Sequence, residues 1–131
     1  MAHILIEHSA NLRERINLPR FVQAIQQAAL ATGALPRDAA HTRACEAGRH
    51  SAAGPDAAFV HLAVRVGRGG DPAVRRQVCE HIFAAACALL SGLHGRMPLA
   101  ISVEVRVQEL APGNRSSNVQ DYIGHRRLRS A

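Results

Sequence analysis

The pattern of hydrophobic and polar positions along the chain predicts four strands. Residues 1–7 open the chain with a short apolar run of strand-forming side chains, so we expect the extreme N-terminus to be buried. Residues 41–47 and 58–66 have the composition of two further strands. After Pro98, residues 101–107 place apolar side chains at the odd positions and polar ones between them, which is typical of a half-buried strand.

Two other segments have helical spacing. Residues 18–29 carry apolar side chains at helical intervals, starting beside Pro19 and stopping before Gly33. A second helical pattern begins where Asp71 can cap a helix that has Pro72 at its first position, and it continues to about Leu93. A short helix or strand is also expected near the end of the chain, at residues 118–123.

The predicted order is strand, helix, strand, strand, helix, strand, which corresponds to two consecutive βαβ units. Right-handed crossovers place both helices on one face of a four-stranded sheet. The fold class is therefore α+β, a doubled βαβ fold. Residues 58–66 are largely apolar on both faces of the predicted strand, so we expect the open face of the sheet to be covered by other subunits of a homo-oligomer.

Composition narrows the range of functions. The 131 residues suffice for one compact domain, 47% of them are hydrophobic, and only 3% are aromatic. This is too apolar for a disordered basic protein and offers few rings on which single-stranded nucleic acid could stack. We find no apolar run of about 18 residues and no signal-peptide pattern, so the expectation is a cytoplasmic protein without membrane contact.

The net charge of +6 comes from arginine alone, since the sequence has sixteen Arg and no Lys. These arginines are scattered and no DNA-reading helix is evident, which disfavours a nucleic-acid-binding module. The basic end, residues 124–131, is expected to be a solvated tail. Cys79 and Cys87 lie in a helical pattern as small core residues, and with Cys45 they show no metal-site spacing.

Several short segments, in this order and spacing, resemble the tautomerase superfamily, and in particular the 5-carboxymethyl-2-hydroxymuconate isomerase family. The resemblance spans roughly residues 2–123, which we treat as one domain of residues 1–123 followed by the tail. The segments that carry it are His3-Ile4-Leu5-Ile6-Glu7, Ser9-Ala10-Asn11-Leu12, Ala31-Thr32-Gly33, Thr42-Arg43-Ala44, Ala58-Phe59-Val60-His61 and Asn118-Val119.

This resemblance implies a homotrimer with active sites near the subunit boundaries. It implies an isomerase that moves a proton within a small unsaturated 2-hydroxy or 2-oxo polycarboxylate, in the bacterial breakdown of homoprotocatechuate, without metal or organic cofactor. The family's base is the amine of an N-terminal proline exposed by removal of Met, and its arginines hold the substrate carboxylates. A neutral amine can take and return a proton, and a guanidinium matches a carboxylate in bidentate fashion.

The sequence departs from the family pattern at the candidate site. Residue 2 is Ala, so the catalytic group that the resemblance implies is the primary amine of Ala2. Arg43 matches a family arginine and is a candidate for binding substrate. His41 stands where a second arginine is expected, and Arg68 lies two residues before Gly70, which occupies a third arginine position. His41 and Arg68 are the remaining candidates for contact with a carboxylate.

Each candidate also has a structural interpretation. Ala2 could be an inert N-terminal residue, Arg43 an exposed strand residue and Arg68 a mobile surface charge. His3 and His61 are most simply polar residues of the sheet with hydrogen-bond partners. The alternative to an isomerase is therefore a non-catalytic or repurposed trimeric relative that binds a small anionic ligand.

Overall fold

The strands and helices of the protein follow the predicted order in a computed structural model. The structure describes residues 2–48, 54, 56–67, 70–107 and 116–123. The predicted tail, residues 124–131, and Arg68 lie outside the described residues.

The elements are named here in chain order. The strands are β1 (Ala2–Ser9), β2 (Ala40–Ala47), β3 (Ala58–Val66) and β4 (Leu99–Val107). The helices are α1 (Leu18–Ala31), α2 (Pro72–Leu89) and α3 (Ser91–His94), and a single 3-10 turn spans Ala10–Leu12. Residues 119–123 form one further short helical turn, which settles the choice between helix and strand left open for this segment.

Polar caps fix where the two long helices begin. The Asn17 side chain accepts a hydrogen bond from the backbone N–H of Arg20 at 3.2 Å, and Asp71 accepts one from Ala73 at 2.9 Å. Such caps satisfy backbone donors that have no partner within the helix. After α1 the chain turns at Gly33 with φ +71°, a left-handed conformation that favours glycine.

The second helix is shorter than its sequence pattern predicts. The pattern continues to about Leu93, but α2 ends at Leu89 and Leu90 leaves the helical region with φ −104° and ψ 6°. The chain resumes as α3, and the Ser91 hydroxyl donates to the carbonyl of Ala88 at 3.0 Å across the break. The apolar spacing persists because Leu90 and Leu93 both pack against the core.

The sheet has the strand order β2-β1-β3-β4. The two outer pairs, β1 with β2 and β3 with β4, are parallel, and the central pair of β1 and β3 is antiparallel. This is the doubled βαβ arrangement predicted from the sequence. Both helices cover one face of the sheet, and that face forms the core. The most buried side chains include Ile4, Ile6, Leu12, Ile25, Val60, Leu62, Val64 and Ile82.

The other face of the sheet is more polar than the sequence suggested. The apolar reading of β3 on both faces is wrong, since His61 and Arg65 alternate with the core positions Val60, Leu62 and Val64. Charged and polar side chains of the neighbouring strands lie beside them, as described below. The open face is thus not a bare apolar surface, and the trimer remains a prediction that rests on the family resemblance.

Among the described helices, none is long and apolar enough to cross a membrane.

Candidate active site

Residue 2 is buried at the start of the first strand. Ala2 is 1% exposed, which confirms that the N-terminal end of the domain is part of the fold. Its backbone nitrogen donates a hydrogen bond to the carbonyl oxygen of Ala39 at 2.8 Å, immediately before β2. The position of this nitrogen is therefore fixed by the pairing of β1 with β2.

Ala2 lines a cavity of about 180 Å³ on the helix side of the sheet, which we call the helix-side cavity. Most of its wall is apolar and comes from residues such as Pro36, Val66 and Val105. Two charged residues also line it, and each has a partner within the fold. Asp71 caps α2, and Arg75 donates from Nη1 to the carbonyl of Gly70 at 2.9 Å. The cavity thus combines a fixed backbone nitrogen, an apolar wall, one guanidinium and one carboxylate.

Four basic side chains meet on the open face at the same end of the sheet. His3 pairs in register with His41 on β2 and with Arg65 on β3, and Arg43 lies opposite Leu5. Residues at paired positions of adjacent strands point to the same face, which brings these side chains together. We call His3, His41, Arg43 and Arg65 the basic cluster.

The basic cluster lines a second cavity of about 180 Å³. The rings of His3 and His41 stack with centroids 5.5 Å apart. No carboxylate is among the described residues that line this cavity. A concave surface with two guanidiniums, two imidazoles and no acid favours an anionic ligand, and the two arginines can bind carboxylate oxygens directly.

The pKa of His3 is affected both by its burial and by the positive charges around it. Burial lowers the pKa of the His3 imidazole below its usual value of 6.5, and His41, Arg43, the chain's N-terminal charge and Arg65 lower it further. A lowered pKa favours the neutral ring, because protonation would add another positive charge to the cluster.

Acidification should therefore destabilise the protein in part through His3. Folded His3 binds a proton less readily than unfolded His3, so its contribution to the free energy of unfolding is present above about pH 6.5. That contribution is lost as the pH falls through the lowered folded pKa. We expect a His3→Asn variant to show a smaller fall in Tm than the parent between about pH 7.5 and about pH 5.

The matched control for this measurement is His81→Asn, since His81 is exposed on α2. Its Tm should fall with pH as steeply as that of the parent. Parallel melting curves for His3→Asn and the parent would contradict the assignment of this pH dependence to His3.

A second polar network lies beside the basic cluster on the open face. His61 bonds through Nδ1 to the Ser102 hydroxyl at 2.6 Å and through Nε2 to Glu104 at 3.1 Å. Arg106 pairs with the same carboxylate at 3.0 Å. Hydrogen bonds from His61 and Arg106 lower the pKa of Glu104 and keep it ionised. His61 thus has the hydrogen-bond partners expected of a polar sheet residue.

The structure brings together some of the residues singled out by the sequence and separates others. His41 and Arg43 lie in one cluster, whereas Ala2 lines a cavity on the opposite face of the sheet. Both cavities are at the same sheet end, because Ala2 and His3 are consecutive in β1. Arg65 was missed as a candidate. Its alternation with the apolar residues of β3 was the available signal that it leaves the core.

The cysteines show no sign of a metal or redox centre. Cys79 and Cys87 are half-buried in α2 and Cys45 is exposed on β2. Within the part of the chain that the structure describes, no three His, Cys, Asp or Glu side chains are grouped so that they could hold a metal ion.

The doubled βαβ unit, with a four-stranded mixed sheet and its helices on one face, defines a protein of the tautomerase-like fold. The structure described as the Q0 fused 4-OT wild type symmetric trimer has the same fold, with a TM-score of 0.56 and 13% identity over 88% of this chain and 94% of that one. At this level of identity the similarity concerns the fold alone.

The chain belongs to the 5-carboxymethyl-2-hydroxymuconate isomerase family, whose model matches residues 2–123. The 5-carboxymethyl-2-hydroxymuconate Delta-isomerase of Escherichia coli is 30% identical over 119 residues, which cover 86% of this chain and 89% of the relative.

Two solved structures have nearly the same fold throughout. A crystal structure of a 5-carboxymethyl-2-hydroxymuconate delta-isomerase gives a TM-score of 0.87 with 23% identity, over 94% of this chain and 93% of that one. A 5-carboxymethyl-2-hydroxymuconate isomerase from Deinococcus radiodurans R1 gives 0.84 with 22% identity, over 93% of each chain. The resemblance stated from the sequence is confirmed at the level of the family.

Proposed function

We propose that the protein is an isomerase that transfers a proton within a small unsaturated 2-hydroxy or 2-oxo polycarboxylate, such as 5-carboxymethyl-2-hydroxymuconate. The observation that carries this proposal is that the buried nitrogen of Ala2 and the basic cluster lie at the same end of the sheet, on its two opposite faces. Relatives named as isomerases support the reaction class. The proposed role is in the catabolism of aromatic compounds.

The proposed base is the primary amine of Ala2, exposed once Met1 has been removed. Such an amine has a reference pKa of about 7.7 to 8.0, and its burial favours the neutral form. Asp71 and Arg75 both line the helix-side cavity, and their opposite charges act on the amine in opposite directions. The neutral amine takes a proton from one carbon of the substrate and returns it to another. The amine that results from loss of Met1 keeps donors for the carbonyl of Ala39, so its position is maintained.

The proposed carboxylate ligands are the guanidiniums of the basic cluster, with Arg43 as the principal one. Arg65 and His41 lie beside it, and Arg68 stays a candidate from the sequence. Arg43 and Ala2 line cavities on opposite faces of the sheet, so the substrate extends around the sheet end or reaches residues of a neighbouring subunit. Either arrangement holds the anionic end of the substrate away from the apolar helix-side cavity.

The decisive experiment compares two forms of the protein that differ only at the N-terminus. One form has lost Met1, as verified by mass spectrometry, and the other keeps a short extension before Ala2. With 5-carboxymethyl-2-hydroxymuconate as substrate, we expect isomerisation by the processed form and loss of about 100-fold or more in the extended form, as for removal of an acid–base group. A C-terminal extension of the same length is the control and should leave the rate unchanged.

A second candidate function is binding of a small anion by a protein without isomerase activity. Two features favour it: Ala2 stands where the family resemblance implies a proline, and the basic cluster favours an anionic ligand. The variant Ala2→Pro separates the two proposals. A silent parent protein together with an active Ala2→Pro variant would mean that the site is retained while the base is lost, and would exclude the isomerase.

We also propose that the protein is a homotrimer whose subunits meet at the open face of the sheet. Polar side chains such as Glu7 and Arg65 on this face would then form contacts between subunits. Light scattering at micromolar protein concentration should give three times the chain mass of 14.1 kDa. A monomer under these conditions would exclude the trimer and with it a site shared between subunits.

A further inference from the structure

A cavity larger than the two cavities of the candidate active site lies away from that site. It is a groove of about 730 Å³ between the start of α1 and the end of α2 with α3, on the helix side of the sheet. We call it the helical groove. Its lining residues include Arg15, Arg20, Phe21, Ala24, Leu90 and Arg96. It shares no residue with the helix-side cavity or with the cavity of the basic cluster.

The floor of the helical groove is apolar and partly open to solvent. Phe21 and Leu90 belong to the core, with 5% and 1% exposure. Leu93 packs against that core from the side, and Leu89 is 48% exposed at the edge of the groove. Exposed leucine next to a concave apolar floor provides surface that an apolar ligand can cover.

The rim of the helical groove is positively charged and has no compensating acid. Arg15, Arg20 and Arg96 contribute three guanidiniums, and no Asp or Glu is among the lining residues. None of the three forms an ion pair with a described residue, whereas elsewhere Arg13 pairs with Glu46. Carboxamides of the lining glutamines add further hydrogen-bond donors. The charge and the apolar floor together favour a ligand that has both an anionic group and an apolar body.

The helical groove is elongated along the axis of α1. From Arg20 to Gln27 its wall follows about two turns of α1, or roughly 10 Å. A narrow chain laid along this wall covers Ala24 and the leucines of α2 and α3 while its charged end meets the guanidiniums. The chain's own basic segment, residues 124–131, has the wrong charge to occupy the groove, and so does the same groove of a second copy.

We propose that the helical groove is a second ligand site, which binds a medium-chain alkyl carboxylate. The alkyl chain covers the apolar floor, and the carboxylate accepts hydrogen bonds from the arginines of the rim. The groove lies on the side of the sheet opposite the open face, so it stays accessible when the open face is occupied.

The test is a calorimetric titration of the full-length protein with decanoate. Decan-1-ol, which has the chain without the charge, and acetate, which has the charge without the chain, are the matched probes. We expect saturable binding of decanoate with a Kd below about 1 mM, at least about tenfold weaker binding of decan-1-ol, and no binding of acetate. Equal affinity for decanoate and decan-1-ol, or no saturable binding of decanoate, would overturn the proposal.

Substitutions of surface arginines test whether decanoate binds in the helical groove. The double variant Arg20→Gln/Arg96→Gln should weaken decanoate binding by about tenfold or more, because it removes two charged donors. Arg76→Gln removes the same kind of exposed charge from α2 outside the groove and should leave the affinity unchanged. Equal weakening by Arg76→Gln would show a general effect of charge and overturn the site.

A third variant tests the apolar floor without altering any charge. Ala24→Phe places a ring in the groove and should abolish decanoate binding while the Tm stays within a few degrees of the parent. Arg43→Gln, in the basic cluster, should bind decanoate as the parent does. Loss of binding in Arg43→Gln with binding retained in Ala24→Phe would assign decanoate to the candidate active site and refute the helical groove.

Discussion

Replacement of Ile6 by Ala is expected to lower the free energy of unfolding by about 2–5 kcal/mol. Ile6 is fully buried in β1, which is a central strand, and it pairs with Ala44 on one side and Leu62 on the other. The substitution removes apolar contacts and leaves a cavity that neighbours on two strands and two helices cannot close. Urea denaturation of the purified variant and the parent measures the difference.

Two further substitutions in β1 control for this effect. Ile6→Val removes one methylene group and should cost only about 0.5–1.5 kcal/mol. Leu5→Ala removes a side chain of the same size from the half-buried open face and should cost less than Ile6→Ala. If Leu5→Ala were as destabilising as Ile6→Ala at low protein concentration, the helix side of the sheet would not be the main core.

Among substitutions in the basic cluster, the largest effect on activity is expected from Arg43→Gln. If Arg43 binds a substrate carboxylate, loss of its charged hydrogen bonds should reduce kcat/KM by about 10- to 150-fold, corresponding to about 1.5–3 kcal/mol. Most of this loss should appear as an increase in KM, because a carboxylate distant from the reacting carbon is bound equally in the ground state and the transition state. Steady-state kinetics with 5-carboxymethyl-2-hydroxymuconate measures both constants.

The variant Arg43→Lys separates the effect of the positive charge from that of the guanidinium geometry. Lysine keeps the charge but cannot bind a carboxylate in the bidentate fashion of arginine. It should recover part of the activity that is lost in Arg43→Gln. Arg76→Gln, far from the basic cluster on α2, is the control for net charge and should leave KM unchanged. An unaltered KM in Arg43→Gln would remove Arg43 from the substrate site.

Most of the fold could be predicted because its signals are local. The alternation in residues 101–107, the helical spacing after Asn17 and the cap at Asp71 each depend on neighbouring residues only. The break at Leu90 was not visible, since Leu90 and Leu93 both keep apolar spacing while the backbone changes direction between them. The polarity of the open face was also misjudged, because the overall hydrophobicity of β3 concealed the outward positions of His61 and Arg65.

The candidate site was less predictable because it depends on register between distant strands. His41 and Arg43 are two residues apart on β2, so a shared face follows from the period of a strand. Their proximity to His3 and Arg65 follows only from the pairing of residue 3 with residues 41 and 65. The same register pairs Ala2 with residue 40, and this parity is what puts its side chain on the face opposite Arg43.

The sheet has two parallel outer strand pairs and an antiparallel central pair, and this topology also has a consequence for folding. Each outer pair closes within one βαβ half, residue 3 with residue 41 and residue 58 with residue 99. The central pair of β1 and β3 joins residue 3 to residue 65, and these two residues belong to different βαβ halves. Long-range pairings have the greatest loop-closure entropy cost and slow folding. We therefore expect the β1–β3 ladder, which joins the two βαβ halves, to form later than the two outer pairs.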